Sequence, residues 1–365
     1  MIVKDILNVL DQFAPYNYQE AYDNSNLLVG SKLNELSGVL ISLDCTEEVV
    51  EEALRKNCNV IISHHPIIFK GLKKITDENY VQRTVFKAIQ NNINLIAYHT
   101  NLDNVLHGVN HIIAKKIGLH NTSILQPKRS VLRKLYTFCP KQNADDIKDA
   151  LFEAGAGKIG NYNECSFNTP GLGTFKANSG ASPYVGEINE RHIEEELKIE
   201  VIYPITIEHH LIKALKESHP YEEVAYDIVS LENEHPVVGS GLIGELKNKE
   251  ESLSFLKKIK ESFHCGVIKH TDLVNKNIKR VAICGGSGYF LLKSAILQKA
   301  DVFITSDIKY HDFFDAEGKI VLVDIGHYES EQFTCELIKD ILTQKFPKFA
   351  INLSETNTNP VNYLT

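Results

Sequence analysis

Short runs of almost unbroken aliphatic and β-branched residues constrain this chain more than any other feature. They are Gly38-Val39-Leu40-Ile41-Ser42-Leu43, Val60-Ile61-Ile62, Ile93-Asn94-Leu95-Ile96-Ala97, Val281-Ala282-Ile283, Val302-Phe303-Ile304 and Ile320-Val321-Leu322-Val323. Each lacks the alternation of a half-wetted strand and is too short for a helix, so each reads as a strand buried on both faces. Helical patterns lie between them. Val3, Ile6, Leu7, Leu10 and Phe13 recur at helical spacing, and Thr46 caps a helix whose first turn carries Glu47 and Glu48. Val81, Val85 and Ile89 mark another helix, and two more are expected near residues 288 to 299 and over Phe333, Leu337, Ile338 and Ile341. Strands alternating with helices predict an α/β fold around a largely parallel sheet.

The stretch from 131 to 236 has a different signature. It reads as strand (Lys134 to Phe138), helix (Ala144 to Ala154), strand, a loop rich in Gly, Ser, Asn and Pro (169 to 186), strand (Ile199 to Tyr203), helix (Ile207 to Glu217) and strand (Val224 to Val229). That βαββαβ order is the split-βαβ plan of a ferredoxin-like α+β domain. The expected organisation is a discontinuous α/β domain, residues 1–130 and 237–365, with an inserted domain at 131–236. A module whose ends lie close together disturbs its host least.

Thirty-nine Lys and Arg stand against 47 Asp and Glu, a net charge of −8. This is the wrong sign for gripping a phosphate backbone, which argues against nucleic acid as a partner. The seven cysteines form no C-x-x-C pair and several sit in apolar runs, as expected of reduced packing residues in a cytoplasmic protein. The start, Met1-Ile2-Val3-Lys4-Asp5, meets charge at once. No uncharged apolar stretch approaches the roughly 20 residues that span a bilayer, so neither a signal peptide nor a membrane anchor is expected.

The chemistry concentrates where strands end. Ser63-His64-His65-Pro66 follows Val60-Ile61-Ile62, and in the turn before Pro66 both imidazoles can converge on one cavity. His99-Thr100-Asn101-Leu102-Asp103 follows the strand ending at Ala97-Tyr98. Gly326-His327-Tyr328-Glu329-Ser330-Glu331 follows Ile320 to Val323 and opens a helix, on which His327 and Glu331 share a face. Acids at a helix start need no metal to explain them, but His327 is not accounted for that way. The carboxyl edge is where open α/β sheets place ligands. Five or six N/O donors are too many for one tetrahedral ion and suit two ions sharing a bridging carboxylate. Imidazole with carboxylate admits Zn, Mn, Fe, Co or Ni. Gly285-Gly286-Ser287-Gly288 has the form of a phosphate-cradling turn, or simply of a tight strand-to-helix connection.

These motifs, together with Leu27-Leu28-Val29-Gly30, Val39 to Thr46 and Ser306-Asp307-Ile308-Lys309-Tyr310-His311, resemble those of the GTP cyclohydrolase 1 type 2 homologues, the NIF-three-like family. The resemblance spans nearly the whole chain. It implies a dinuclear site with metal ligands on His64, His65, Asp103, His327 and Glu331, in a toroidal homohexamer with its sites facing an internal cavity. It also implies that the insert is similar to the PII and CutA trimeric proteins, with Ser218-His219-Pro220-Tyr221-Glu222-Glu223 as its hallmark. The chain departs from the family at Tyr22-Asp23-Asn24-Ser25-Asn26, where the usual pattern is Trp-Asp-Asn-x-Gly.

Two function classes follow. The first is a metal-dependent hydrolase acting on a small molecule such as a nucleotide, by GTP ring opening or phosphoester hydrolysis, with His99 as the acid/base candidate. The second is a non-enzymatic metal-binding or regulatory assembly whose insert senses a ligand.

Overall fold

In the computed structural model, which describes residues 1–364, the apolar runs lie at the centres of two sheets rather than one. The strands run β1 (Asn26–Val29), β2 (Val39–Ser42), β3 (Val60–Ser63), β4 (Asn94–Ala97), β5 (Leu119–Lys128), β6 (Leu132–Pro140), β7 (Ser166–Lys176), β8 (Arg191–Pro204), β9 (Tyr226–Leu231), β10 (His235–Glu251), β11 (Lys269–His270), β12 (Asn277–Ile283), β13 (Val302–Thr305), β14 (Val321–Asp324) and β15 (Ile351–Leu353). The chain forms two compact units, Met1–Pro127 joined by the chain from Pro236, and Lys128–His235.

In the first unit one sheet is ordered β1-β4-β3-β2-β15 and the other β11-β14-β13-β12-β10-β5. The parallel core of the first is β2, β3, β4 and β15, and that of the second is β12, β13 and β14. Antiparallel partners flank them: β1 pairs with β4, β10 with β12 and β11 with β14. Every residue of β2, β3, β4, β13 and β14 is buried, which is why these strands are apolar at successive positions.

The helices follow their caps and stripes. Thr46 Oγ1 accepts the Val49 amide at 3.4 Å and starts the helix Glu47–Arg55. The helix Val3–Phe13 buries Val3, Ile6, Leu7 and Leu10. The helix Tyr80–Gln90 buries Thr84, Val85 and Ala88, and Ile89, expected on that face, is 48% exposed. One position past Ala88 turns a side chain about 100° round the helix, off the packed stripe. No helix among the described residues is long and apolar enough to cross a membrane. All seven cysteines are free.

The second unit has element order β6, helix Ala144–Glu153, β7, β8, helix Glu208–Ser218, β9, and its sheet runs β7-β8-β6-β9 with antiparallel neighbours throughout. Leu135, Cys139, Ile147, Leu151, Ile199, Val201, Leu211 and Leu215 build its core between the sheet and the helices. The expected loop from 169 is strand as far as Lys176. Pro170, Gly171 and Gly173 disguise it, yet β7 is an edge strand, where a missing amide donor costs no ladder bond.

Candidate metal centre

Strand ends from both sheets of the first unit converge. β3 leads into His64 and His65, β4 into His99 and the short helix Thr100–Asp103, and β14 into the helix His327–Glu331. β2 and β13 add Asp44 and Asp307, each a few residues beyond the strand. Asp44, His65, His99, Asp307 and His327 line one cavity of about 620 Å³.

His64 is completely buried. Its Nδ1 lies 2.8 Å from the Tyr98 carbonyl oxygen, which can only accept, so Nδ1 carries the proton and Nε2 keeps its lone pair. That Nε2 has no hydrogen-bond partner, and neither does Asp103 Oδ1, 3.7 Å away. Both face Glu331, whose Oε1 is 3.8 Å from His64 Nε2. Burial pushes the His64 imidazole below its ordinary value. Burial and the charge of Glu331 push the Asp103 carboxyl well above the carboxylate range. A buried carboxylate oxygen and a buried imidazole lone pair, both short of a positive partner, are what a cation would satisfy.

The other oxygen of Glu331 faces a second group. Glu331 Oε2 lies 3.0 Å from both His65 Nε2 and His327 Nε2, and the two nitrogens are 3.2 Å apart. Behind them, His65 Nδ1 donates to Asp44 at 2.8 Å and His327 Nδ1 to Asp307 at 2.7 Å. Burial opposes charging these rings. The carboxylates outweigh it, holding His65 up at about 10 through Asp44 and Glu331, and His327 up at about 11 through Asp307 and Glu331. Burial would likewise raise Glu331, but the His327 and His65 imidazoles against its carboxylate hold it well below the carboxylate range. Two imidazole nitrogens and a carboxylate oxygen at this spacing demand positive charge between them, from protons or from a cation. His65, His327 and Glu331 form one group with metal-binding spacing, and His64, His65 and His99 form another.

His99 stands beside the pair, its ring 5.2 Å from that of His64 and 5.5 Å from that of His65. Its Nδ1 donates to Asp23 at 2.8 Å. Burial would raise the Asp23 carboxyl, but the bonds from His99 and Thr100 hold it well below the carboxylate range.

The sequence pattern points to the imidazoles, Asp103 and Glu331 but gives no role to Asp23, Asp44 and Asp307, which orient His99, His65 and His327. The signal was present: Asp44 and Asp307 each stand two residues beyond a parallel strand, the same placement that drew attention to the histidines. Gly285 and Gly286 also take on a different meaning. A Cβ at Gly286 would stand 2.3 Å from Glu331 Oε1, so the turn clears space for the shared carboxylate. His311, His107 and His120 are exposed and outside the group, as are His209 and His210 in the second unit.

A family model for Duf34/NIF3 (NGG1p interacting factor 3) matches residues 1–360. The chain belongs to the DUF34/NIF3 family. Relatives named GTP cyclohydrolase 1 type 2 homolog are 39% identical in Staphylococcus epidermidis strain RP62A and in Staphylococcus aureus strain MSSA476, with full coverage of both chains. Among solved structures, a Bacillus cereus protein related to NIF3 is 33% identical with a TM-score of 0.83, covering 100% of this chain and 99% of its own. A Staphylococcus aureus protein is 35% identical with a TM-score of 0.78 and the same coverage.

Asn26, at the position where the resemblance implies glycine, sits at φ +111°. Its side chain accepts the Leu27 amide at 2.7 Å, but that φ is one that side chains other than glycine rarely adopt. Asn26→Gly is expected to stabilise the protein by about 1 kcal/mol, strain relief outweighing the entropy of an added glycine. Thermal melting checks this, and an unchanged or lower midpoint would show that Asn26 is unstrained.

Proposed function

We propose that the site holds two divalent cations and that the protein is a metal-dependent hydrolase. One observation carries the reading: the two oxygens of the buried Glu331 carboxylate face separate donor sets, His64 Nε2 with Asp103 Oδ1, and His65 Nε2 with His327 Nε2. In this reading His64, His65, Asp103, His327 and Glu331 would hold the cations. The donor set is imidazole and carboxylate without thiolate, which suits zinc, manganese, iron, cobalt or nickel. Divalent cations, when bound, supply charge that acidifies water and stabilises a developing oxyanion.

The chain's own residues supply the rest. Asp44, Asp307 and the Tyr98 carbonyl hold the ring protons of His65, His327 and His64 away from the cavity, leaving the Nε2 atoms as donors. Asp23 does the same for His99, which lines the cavity without a place among the five ligands and is assigned the general acid/base role. The relatives' name points to a nucleotide substrate, through GTP ring opening or phosphoester hydrolysis. The assembly is proposed to be a toroidal homohexamer in the cytoplasm. The βαββαβ order and the β7-β8-β6-β9 sheet support reading residues 131–236 as an inserted, PII/CutA-like domain.

The regulatory alternative draws on one feature, a cavity of about 790 Å³ in the second unit, lined by Phe175, Tyr184 and Tyr221 among others. Turnover separates the two readings. Metal-loaded protein screened against nucleotides and phosphoesters is expected to form product beyond its own concentration. His99→Asn should then cut turnover by about 10²–10⁴-fold at wild-type metal content, the usual range for losing a general acid/base. Absence of turnover across the screen favours the regulatory assembly, and wild-type turnover in His99→Asn removes His99 from the mechanism.

A further inference from the structure

The segment Ser354–Tyr363 runs from β15 to the metal cavity and is tied down from Ser354 to Thr358. Glu52 grips its start, accepting from Ser354 Oγ at 2.6 Å, the Glu355 amide at 2.9 Å and Thr356 Oγ1 at 2.7 Å. Thr358 Oγ1 then donates to Asp44 Oδ2 at 2.7 Å, while Asp44 Oδ1 receives the His65 ring proton. Farther along, Pro360, Val361 and Tyr363 line the same cavity as His65, His99 and His327. Two glycines make room for Tyr363: a Cβ at Gly266 would stand 2.5 Å from its ring, and one at Gly326 would stand 3.2 Å from its hydroxyl. Burial and the nearby Glu329 carboxylate raise that hydroxyl above its ordinary value.

We propose that this segment is part of the site, with Thr358 as a positioning residue that fixes His65 through Asp44, and Val361 and Tyr363 as the wall that receives the non-reacting part of an organic substrate. The proposal rests on the metal-centre reading above. A carboxylate that orients a ligating imidazole works only while it is itself held, and the second oxygen of Asp44 is held by Thr358. Val361 is 53% exposed and Tyr363 38%. Apolar groups left open beside a charged floor offer contact area to a bound molecule.

The test uses the full chain and the metal alone. Chelator competition with zinc is measured on wild type, Thr358→Val, Thr358→Ser and a variant lacking residues from 358 onward. Thr358→Val is expected to weaken zinc binding about tenfold, the low end of the range for disturbing the partner of a ligating imidazole. Thr358→Ser, which keeps the hydroxyl, should bind like wild type, and the metal-free melting temperatures of the two point variants should match. Wild-type affinity in Thr358→Val overturns the positioning role even if the shortened chain fails to fold. If wild type itself binds no zinc, the metal-centre reading falls and this proposal falls with it.

Discussion

Gly286→Ala is expected to empty the metal site while leaving the fold intact. Gly286 sits at φ +63°, and the added Cβ would lie 2.3 Å from Glu331 Oε1 and 3.5 Å from His327 Cε1. The displaced group is the tip of a side chain, so the structure can relieve the clash by moving Glu331. That movement takes away the carboxylate that both donor sets share. The left-handed backbone adds about 1 kcal/mol of destabilisation, small enough for the protein to stay folded. Elemental analysis of the purified variant should find metal far below the wild-type content, with a cooperative melt retained. Full metal content would mean that Glu331 is dispensable, or that its position is not set by this turn.

The largest expected effect on stability falls at Glu52. This residue of the helix Glu47–Arg55 is 2% exposed, and its carboxylate accepts from Ser354, Glu355 and Thr356 and pairs with Lys56 at 2.8 Å. Glu52→Ala leaves these donors without an acceptor and is expected to cost about 3 kcal/mol. Burial would raise the Glu52 carboxyl, but the bonds from Lys56, Ser354 and Thr356 hold it well below the carboxylate range. Its folded value is therefore below its unfolded one. The stabilisation is fully present above the ordinary glutamate value of 4.5 and fades as pH falls toward the folded value. Denaturant unfolding of wild type and Glu52→Gln should show a gap at pH 7 that narrows below pH 4.5. A gap independent of pH would assign the effect to packing rather than to the charge.

The histidines were legible because strands apolar on both faces end at one edge of a sheet, where several imidazoles in the following loops can share a cavity. His64, His65, His99 and His327 all follow such strands. The carboxylates behind them were harder to see. Asp44 lies beyond β2 and Asp23 in the turn just before β1, and only the folded chain shows that each meets an imidazole. The division into two sheets was hidden for a related reason. Buried parallel strands read alike whichever neighbour they pair with, so β2 to β4 and β12 to β14 carried no mark of belonging to separate sheets. In the second unit, β7 was concealed by Pro170 and its glycines, residues that an edge strand tolerates and a central one does not.

Anomalous scattering from a crystal of the protein grown with zinc, collected on either side of the zinc absorption edge, tests the central claim most directly. Two peaks are expected on opposite sides of the Glu331 carboxylate, one against His64 and Asp103 and the other against His65 and His327. A single peak, or peaks that leave Glu331 untouched, would contradict it.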